Sequence, residues 1–349
     1  MFDPTHPIVT EDIEKILAEA LPWEALAGQH VLVTGATGML GGYLTLCLLR
    51  LGRMRLNGLR ISLLVRDAAR AQARFGDLLS GAGVDVVSGS LQSPPQLPAG
   101  MPDLIIHAAS PASPRDYATH PVDVIRANAA GTMALLDAYA RGGDSRFLFL
   151  GSAVYGSTEN LGPVDEDSFG AVPTLDARNC YIESKRMAET LLESWRCQYG
   201  LDYRIGRIFH TFGPGLNLDD GRIFSDVLRA ALARQPIVLT SDGLARRAFC
   251  YLADTVSAFF HLLLAGRPGL ACNIGNPDNE LTIREFASLA SRLTDPPLPL
   301  HFAAPDLSAY TPARTSRGQP DITRIRALGW RPAVTAADAL ARTYRSFLP

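Results

Sequence analysis

The sequence predicts an α/β protein: a Rossmann-type doubly wound parallel sheet followed by a smaller C-terminal α/β lobe. Three observations carry this. Short apolar runs alternate with amphipathic helical segments from residue 31 to about residue 210, the pattern of a parallel sheet covered on both faces. The first run passes through Gly35, Gly38 and Gly41 directly into a helical segment, where a dinucleotide fold keeps its phosphate-binding turn. Beyond about residue 210 the alternation loosens into loops such as GPGLNLDDGR, GNPDNE and TDPPLPL, which separate shorter elements.

Taken in order, residues 8–21 space Ile13, Ile16, Leu17 and Ala20 on one helical face, with acids in the first turn and Pro22 as the stop. Residues 1–28 therefore read as a packed helical extension. Strands are expected at 31–34, 60–65, 84–87, 103–109, 146–150 and 202–209. Helices are expected over 39–50, 124–140 and 180–200, the last stopping at Gly200, with an Ala/Arg-rich helix after the second strand. The division that follows is 1–28 extension, 29–210 dinucleotide-binding domain and 211–349 mainly a substrate lobe, with segments such as 237–265 free to return to the first domain.

Composition bounds the partners. The chain has 349 residues, 47% of them apolar, and a formal net charge of −2, without the basic footprint of a nucleic-acid binder. Cys47, Cys180, Cys197, Cys250 and Cys272 show no C-x-x-C spacing and read as free thiols of a reducing compartment. No apolar run reaches the roughly 18 residues of a membrane span, and the N-terminal stretch lacks a basic-then-apolar leader pattern. The expectation is a cytoplasmic protein with no membrane or nucleic-acid partner. No His/Asp/Glu cluster has metal-ligand spacing.

The motifs specify chemistry. Glycines at 35, 38 and 41 let the backbone turn tightly and bring a pyrophosphate to the helix N-terminus. At the end of the second strand an acid binds ribose hydroxyls and a base accommodates a 2′-phosphate. Arg66 stands there with Asp67 behind it, so the cofactor is NAD or NADP, with Arg66 leaning towards NADP. In YIESK, Tyr181 and Lys185 are four apart and share a helix face. A nearby ammonium favours the phenolate, and Ser152, ending the FLFL strand, supplies a hydroxyl to hold a substrate oxygen in line. These groups suit moving a proton while a nicotinamide takes or gives hydride.

With these motifs the chain resembles the extended short-chain dehydrogenase/reductase family over roughly residues 30–345. It is most similar there to UDP-glucuronate decarboxylases and their 4,6-dehydratase and 4-epimerase relatives. The resembling pieces are HAASPASPRDY (107–117), NAAGT (128–132), RNCYIESKR (178–186), RIFHTFGPGLNLDDGR (207–222), RRAFCYLADTV (246–256) and RGQPDITRIRALGWRP (317–332). The resemblance implies Tyr181, Lys185 and Ser152 as the catalytic set. It implies cofactor contacts at Thr37, Met39 and Leu40 of the glycine turn, at Ser90 and Leu91, and at Ala108, Ala109, Ser110 and Asn128. Substrate contacts are implied at Ser110, Pro111, Tyr117, His210, Arg222 and Arg247, the two arginines meeting the diphosphate or the base. A homodimer is also implied, through helices at 122–140 and 180–199.

Three departures qualify the resemblance. The turn after Ser152 is one residue short when counted back from Val154-Tyr155-Gly156. Ala153 stands where the decarboxylases carry a glutamate and the 4,6-dehydratases an Asp-Glu pair. His210 replaces a common asparagine. A 4,6-dehydratase is disfavoured unless Glu183 or another acid fills in. The reading is a nucleotide-diphosphate-sugar enzyme working through C4 oxidation and reduction, similar to UDP-glucuronate decarboxylases. The alternatives are a 4-epimerase, an NADPH-dependent 4-keto-sugar reductase and a non-catalytic dinucleotide binder.

Overall fold

A computed structural model describes residues 2–142, 144–156, 162–303 and 318–348. Arg317, which opens the last resembling piece, lies outside the described residues. Seven strands form one parallel sheet: β1 (His30–Thr34), β2 (Arg60–Val65), β3 (Val84–Ser88), β4 (Leu104–His107), β5 (Arg146–Ser152), β6 (Asp202–Ile208) and a last strand, Leu270–Ile274. From edge to edge the order is Leu270–Ile274, β6, β5, β4, β1, β2, β3. The order reverses between β1 and β4, which opens a crevice at the carboxyl ends of these two strands. β1 is buried along its whole length, as the apolar run required.

The expected strand at 103–109 ends at His107. Beyond it the chain turns out of the sheet, and the amides of Ala108 and Ala109 bond the carbonyl (3.2 Å) and hydroxyl (3.3 Å) of Thr34. The expected helix over 124–140 is a composite: Pro121–Ile125, a π-helical turn at Arg126–Ala130, then Gly131–Tyr139. The extra residue per turn accompanies an inward Asn128, 1% exposed, and a Gly131 whose missing Cβ admits Leu91. The Cys180–Tyr199 helix stops at Gly200 with φ 78°, a left-handed C-cap that glycine adopts without strain.

After β6 the chain builds a lobe of helices Ile223–Ala233, Ile283–Ser291 and Ala336–Arg345 with short strand pairs. Phe212, Phe249 and Phe286 form its centre, Phe249 stacking on Phe286 at 3.9 Å between ring centroids. The chain then returns to the sheet as Leu270–Ile274, preceded by the buried Leu252–Ala265 helix. That helix lies so close to β6 that a Cβ on Gly206 would fall 2.4 Å from Phe259.

The N-terminal helix α1 covers Pro7–Leu17, starting and ending before the bounds expected from the sequence. His6 caps it, so Glu11 and Asp12 fall in its second turn, and Ala20 lies beyond its end and is exposed. Ile13, Ile16 and Leu17 are buried as expected. Asp12 is buried too, because three groups from both halves of the fold converge on it. Tyr251 Oη donates at 2.7 Å, Arg342 Nη2 at 2.6 Å and Tyr43 Oη at 3.2 Å. Glu19 accepts from Ser257 Oγ and lies equally close, at 2.6 Å, to His261 Nε2. The extension thus joins the second helix, α2 (Met39–Met54), to the C-terminal lobe. Removing the Asp12 carboxylate leaves a half-buried guanidinium short of its partner. Asp12→Ala is expected to lower stability by about 3 kcal/mol and Tyr251→Phe by about 1 kcal/mol, read from denaturant unfolding midpoints at constant m-value.

Candidate active site

The crevice begins at the glycine turn. Gly35 has φ +71°, and a Cβ there would fall 2.6 Å from the Ala108 carbonyl carbon and the Ala109 nitrogen. At Gly41 it would fall 2.3 Å from the Gly35 oxygen. Gly38 donates its amide to the Gly35 carbonyl at 2.9 Å and caps α2 with no side chain in the way. A helix leaves its first amides without intrahelical partners, so the backbone at Met39 and Leu40, with Thr37 before them, presents N–H groups and the helix dipole to an anion. A side chain would fill this cradle, and the residues present fit a dinucleotide pyrophosphate. Arg74, which the sequence did not single out, closes the turn from behind. Its Nη1 donates to the Gly38 carbonyl at 2.6 Å and its guanidinium lies 4.5 Å from the Phe2 ring centroid.

Arg66 is exposed at the end of β2. Asp67 serves as the N-cap of helix α3 (Ala68–Phe75), accepting from the Arg70 amide at 3.3 Å. Past β3, Ser90 Oγ accepts from the Ser93 amide at 3.2 Å, and Leu91 packs into the gap at Gly131.

A buried polar chain supports the crevice floor. Thr34 Oγ1 lies 2.7 Å from His107 Nδ1, and His107 Nε2 lies 3.1 Å from Thr132 Oγ1, which donates to the Asn128 carbonyl at 2.6 Å. Asn128 accepts from Ser110 Oγ at 2.7 Å and donates to Ser184 Oγ at 3.1 Å. Burial, aided by the charge of Lys185, pushes His107 down to about 3, so it is a neutral link. Thr34, His107, Thr132 and Ser184 have no local sequence signal. They act through pairings across the sheet and between helices.

Tyr181 and Lys185 share a helix face as expected, but the lysine does not bond the phenol. Lys185 Nζ donates to the Leu150 carbonyl at 2.9 Å and lies 4.6 Å from the Phe149 ring centroid. Burial brings its pKa down to about 7, with Glu189 opposing. The Tyr181 phenol is raised by burial, against hydrogen bonding from Ser152, the charge of Arg222 and hydrogen bonding from Tyr117. Tyr117 stacks on Tyr181 with centroids 4.7 Å apart and planes at 23°. Glu183, two residues from Tyr181 and so on another side of the helix, lies 3.9 Å from Arg186.

The lobe closes the far side. Arg222 Nη2 donates to the Ala112 carbonyl, and its amide donates to Asp220 Oδ1 at 2.9 Å. This ties the lobe to the Ser110-Pro111-Ala112 turn. Arg247 Nη1 donates to the Arg246 carbonyl at 2.7 Å. Burial, then Arg247 and Arg222, push His210 down to about 3, so this imidazole is neutral. The structure thus brings Tyr117, Ser152, Tyr181 and Arg222 within interacting range of one another and sets His210 in the field of Arg222 and Arg247, while Arg66, Ser90 and Leu91 follow β2 and β3. Among the described residues no group of three or more His, Cys, Asp or Glu is gathered to hold a metal.

A parallel sheet with a glycine cradle at its switch point is the fold of a nicotinamide-dependent enzyme of the short-chain type. Residues 31–275 match the family model described as the NAD dependent epimerase/dehydratase family. The chain belongs to that family and is an NAD(P)-dependent enzyme. It is 36% identical over 239 residues to UDP-glucuronic acid decarboxylase 5 of Arabidopsis thaliana, covering 68% of each chain. It is 30% identical over 320 residues to UDP-glucuronic acid decarboxylase 1 of Danio rerio, covering 91% of this chain and 72% of that one. The fold is that of UDP-glucuronic acid 4-epimerase from Bacillus cereus, at TM-score 0.77 and 20% identity over 91% of this chain and 98% of that one. It is equally that of UDP-N-acetylglucosamine 4-epimerase from Methanobrevibacter ruminantium M1, at TM-score 0.78 and 18% identity over 92% and 99%.

Two outcomes follow. Gly35→Ala places a Cβ against the β4 backbone in a left-handed conformation, so the purified protein should lose its capacity to bind dinucleotide by calorimetry while retaining its circular dichroism. Lys185 has a folded-state pKa of about 7 against an ordinary 10.5, so between those values the unfolded chain binds a proton that the folded chain does not. Relative to Lys185→Met, wild-type stability should be flat below about pH 6 and rise as the pH climbs from 7 towards 10, measured by urea unfolding of the cofactor-free protein.

Proposed function

We propose that this enzyme oxidises and reduces nucleotide-diphosphate sugars at C4 and decarboxylates UDP-glucuronate. The observation that carries the reading is the Tyr181 ring stacked on Tyr117, with Ser152 and Arg222 both favouring its ionised form, on a fold that carries a dinucleotide cradle. The identity to UDP-glucuronic acid decarboxylases over most of the chain supports the substrate.

The bound nicotinamide supplies hydride acceptance at C4 and its later return. Ser152 holds the C4 hydroxyl in line and Tyr181 removes its proton. Arg222 is the cation whose charge favours the phenolate in this geometry, while Lys185 sits deeper, on the Leu150 carbonyl, where it can meet a cofactor ribose. Once C4 is a ketone, the C6 carboxylate is β to it. Loss of carbon dioxide then sends the C5–C6 electron pair into the carbonyl and needs no base. Ala153 is compatible with that step. It is not compatible with 4,6-dehydration, which needs acids at C5 and C6, and Glu183 is turned to Arg186. Arg222, Arg247 and the neutral His210 suit the diphosphate and the adjoining sugar.

One observation favours a second reading, an NADPH-dependent 4-keto reductase. Arg66 is exposed at the ribose end of the cradle while Asp67 is engaged as a helix cap. A reductase releases its cofactor and consumes NADPH stoichiometrically, whereas a decarboxylase or epimerase recycles it. We further propose a homodimer through the helical face bearing Val122, Ile125, Met133 and Met187, 45–61% exposed. We place the protein in the cytoplasm on the strength of its five free cysteines. Among the described residues no helix is long and apolar enough to cross a membrane.

Incubation of the purified protein with UDP-glucuronate and NAD or NADP, followed by mass spectrometry, is expected to yield a nucleotide sugar lighter by one carbon dioxide. Unchanged mass without a new isomer would overturn the assignment, and uptake of two hydrogens by a 4-keto sugar with NADPH would establish the reductase.

A further inference from the structure

Decarboxylation leaves a demand that the groups named so far do not meet. The electron pair released from the C5–C6 bond rests in an enolate spanning C5, C4 and O4, and C5 must gain a proton before C4 is reduced again. Tyr181 holds the proton taken from O4, and that proton must return to O4 when hydride returns to C4. A second donor is needed next to Tyr181. Among the described residues the groups acting on the Tyr181 phenol are Ser152, Arg222 and Tyr117, with no carboxylate among them. Ser152 is occupied with O4, and a guanidinium does not give up its proton at neutral pH.

We propose that Tyr117 is the acid that protonates C5. This rests on the decarboxylase reading. Its ring stacks on that of Tyr181, 4.7 Å between centroids at 23°, and Tyr117 is among the groups that favour the ionised Tyr181 phenol. O4 and C5 are only two bonds apart on the sugar, so a donor beside the one serving O4 reaches C5. The position of Tyr117 is fixed from two sides. Ser113 caps its helix, Pro114–Thr119, accepting from the Asp116 amide at 3.1 Å. Arg222 holds the preceding turn through the Ala112 carbonyl.

The step balances. The Tyr117 O–H bond breaks and C5–H forms with the enolate pair, while O4 reverts to a carbonyl. The phenolate left on Tyr117 is stabilised by Arg222, which already favours its ionised form, and it recovers a proton from water as product leaves. Burial otherwise raises the Tyr117 phenol above its ordinary value, so before the step the residue carries its proton. An enolate carbon is basic enough to take it.

The test is turnover of UDP-glucuronate in D2O by the wild type, Tyr117→Phe and Tyr117→His, with product C5 read by NMR. Phenylalanine keeps the ring stack and removes only the proton, and retained dinucleotide content and unfolding midpoint check that the site is intact. The wild type should give a single deuterium at C5 in one configuration. Tyr117→Phe should lose about 100-fold in turnover, scramble the configuration at C5 and release 4-keto pentose, and histidine should restore one configuration. Unchanged turnover and stereochemistry in Tyr117→Phe overturn the role of Tyr117 alone. Absence of carbon dioxide from the wild type overturns the decarboxylase reading and this inference with it.

Discussion

The approach of the Gly35 backbone to the backbone at Ala108 and Ala109 is the constraint on which the site depends. With no room for a Cβ at 2.6 Å, the ends of β1 and β4 are locked together at the point where the sheet order reverses. The Thr34 hydroxyl consolidates the junction by serving both the Ala109 amide and His107. From His107 the same chain reaches Thr132, Asn128 and Ser184, one residue before Lys185. A single backbone contact therefore positions the glycine cradle and, through buried polar links, the helix that carries Tyr181. A fully satisfied buried network of this kind specifies one arrangement because each broken link strands a polar group away from water.

The second constraint is the joint between sheet and lobe. The lobe supplies Arg222, Arg247 and His210, yet its strands pair mainly with each other. Two ties among several flank the substrate side. Arg222 bonds the Ala112 carbonyl at the crevice mouth, and Asp12 collects Tyr43 from the dinucleotide side and Tyr251 and Arg342 from the lobe side. Tyr251 lies four residues after Arg247 and follows Cys250, whose amide bonds the His210 carbonyl at 3.0 Å. The extension is thus connected to the substrate side by a few bonds. Its amphipathic pattern foretold burial of an apolar face. That a carboxylate on that helix would be the organising group was not legible, because both its phenol partners and its arginine come from distant parts of the chain.

How far the sequence could be read follows from the range of the interactions. Strands buried on both faces appear as apolar runs, so the alternation from residue 31 onwards disclosed the parallel sheet, and the glycines disclosed the cradle. Tyr181 and Lys185 were legible because a helix converts a spacing of four into a shared face. The π-helical turn at Arg126–Ala130 was not, since composition is compatible with an uninterrupted α-helix and only the inward placement of Asn128 distinguishes the two. His107 ends an apolar run and looks like part of a strand. Its role exists only through its neighbours on β1 and the helix at Gly131–Tyr139. Ala153 was legible as a departure that disfavours 4,6-dehydration, but whether Glu183 could fill in was not, because that depends on the helix face from which Glu183 meets Arg186.

The groups around Tyr181 give the electrostatics of the site a division of labour. Lys185 is buried against the Phe149 ring and the Leu150 carbonyl, and desolvation brings it near neutrality, so its charge is weakly held where it lies. The Arg222 guanidinium acts on Tyr117, Tyr181 and His210 together. It favours ionisation of both phenols and adds to burial and Arg247 in keeping the imidazole neutral. A diphosphate entering beside Arg222 would draw part of that field to itself, weakening support for the phenolates as it strengthens its own binding. Asp220 limits the exchange from both ends of the residue: it holds the Arg222 backbone amide, and its other carboxylate oxygen lies 3.7 Å from the guanidinium, so an incoming anion competes with it for that charge. In the proposed reaction, substrate binding and proton transfer would thereby be coupled through one side chain that lies on the lobe rather than on the sheet.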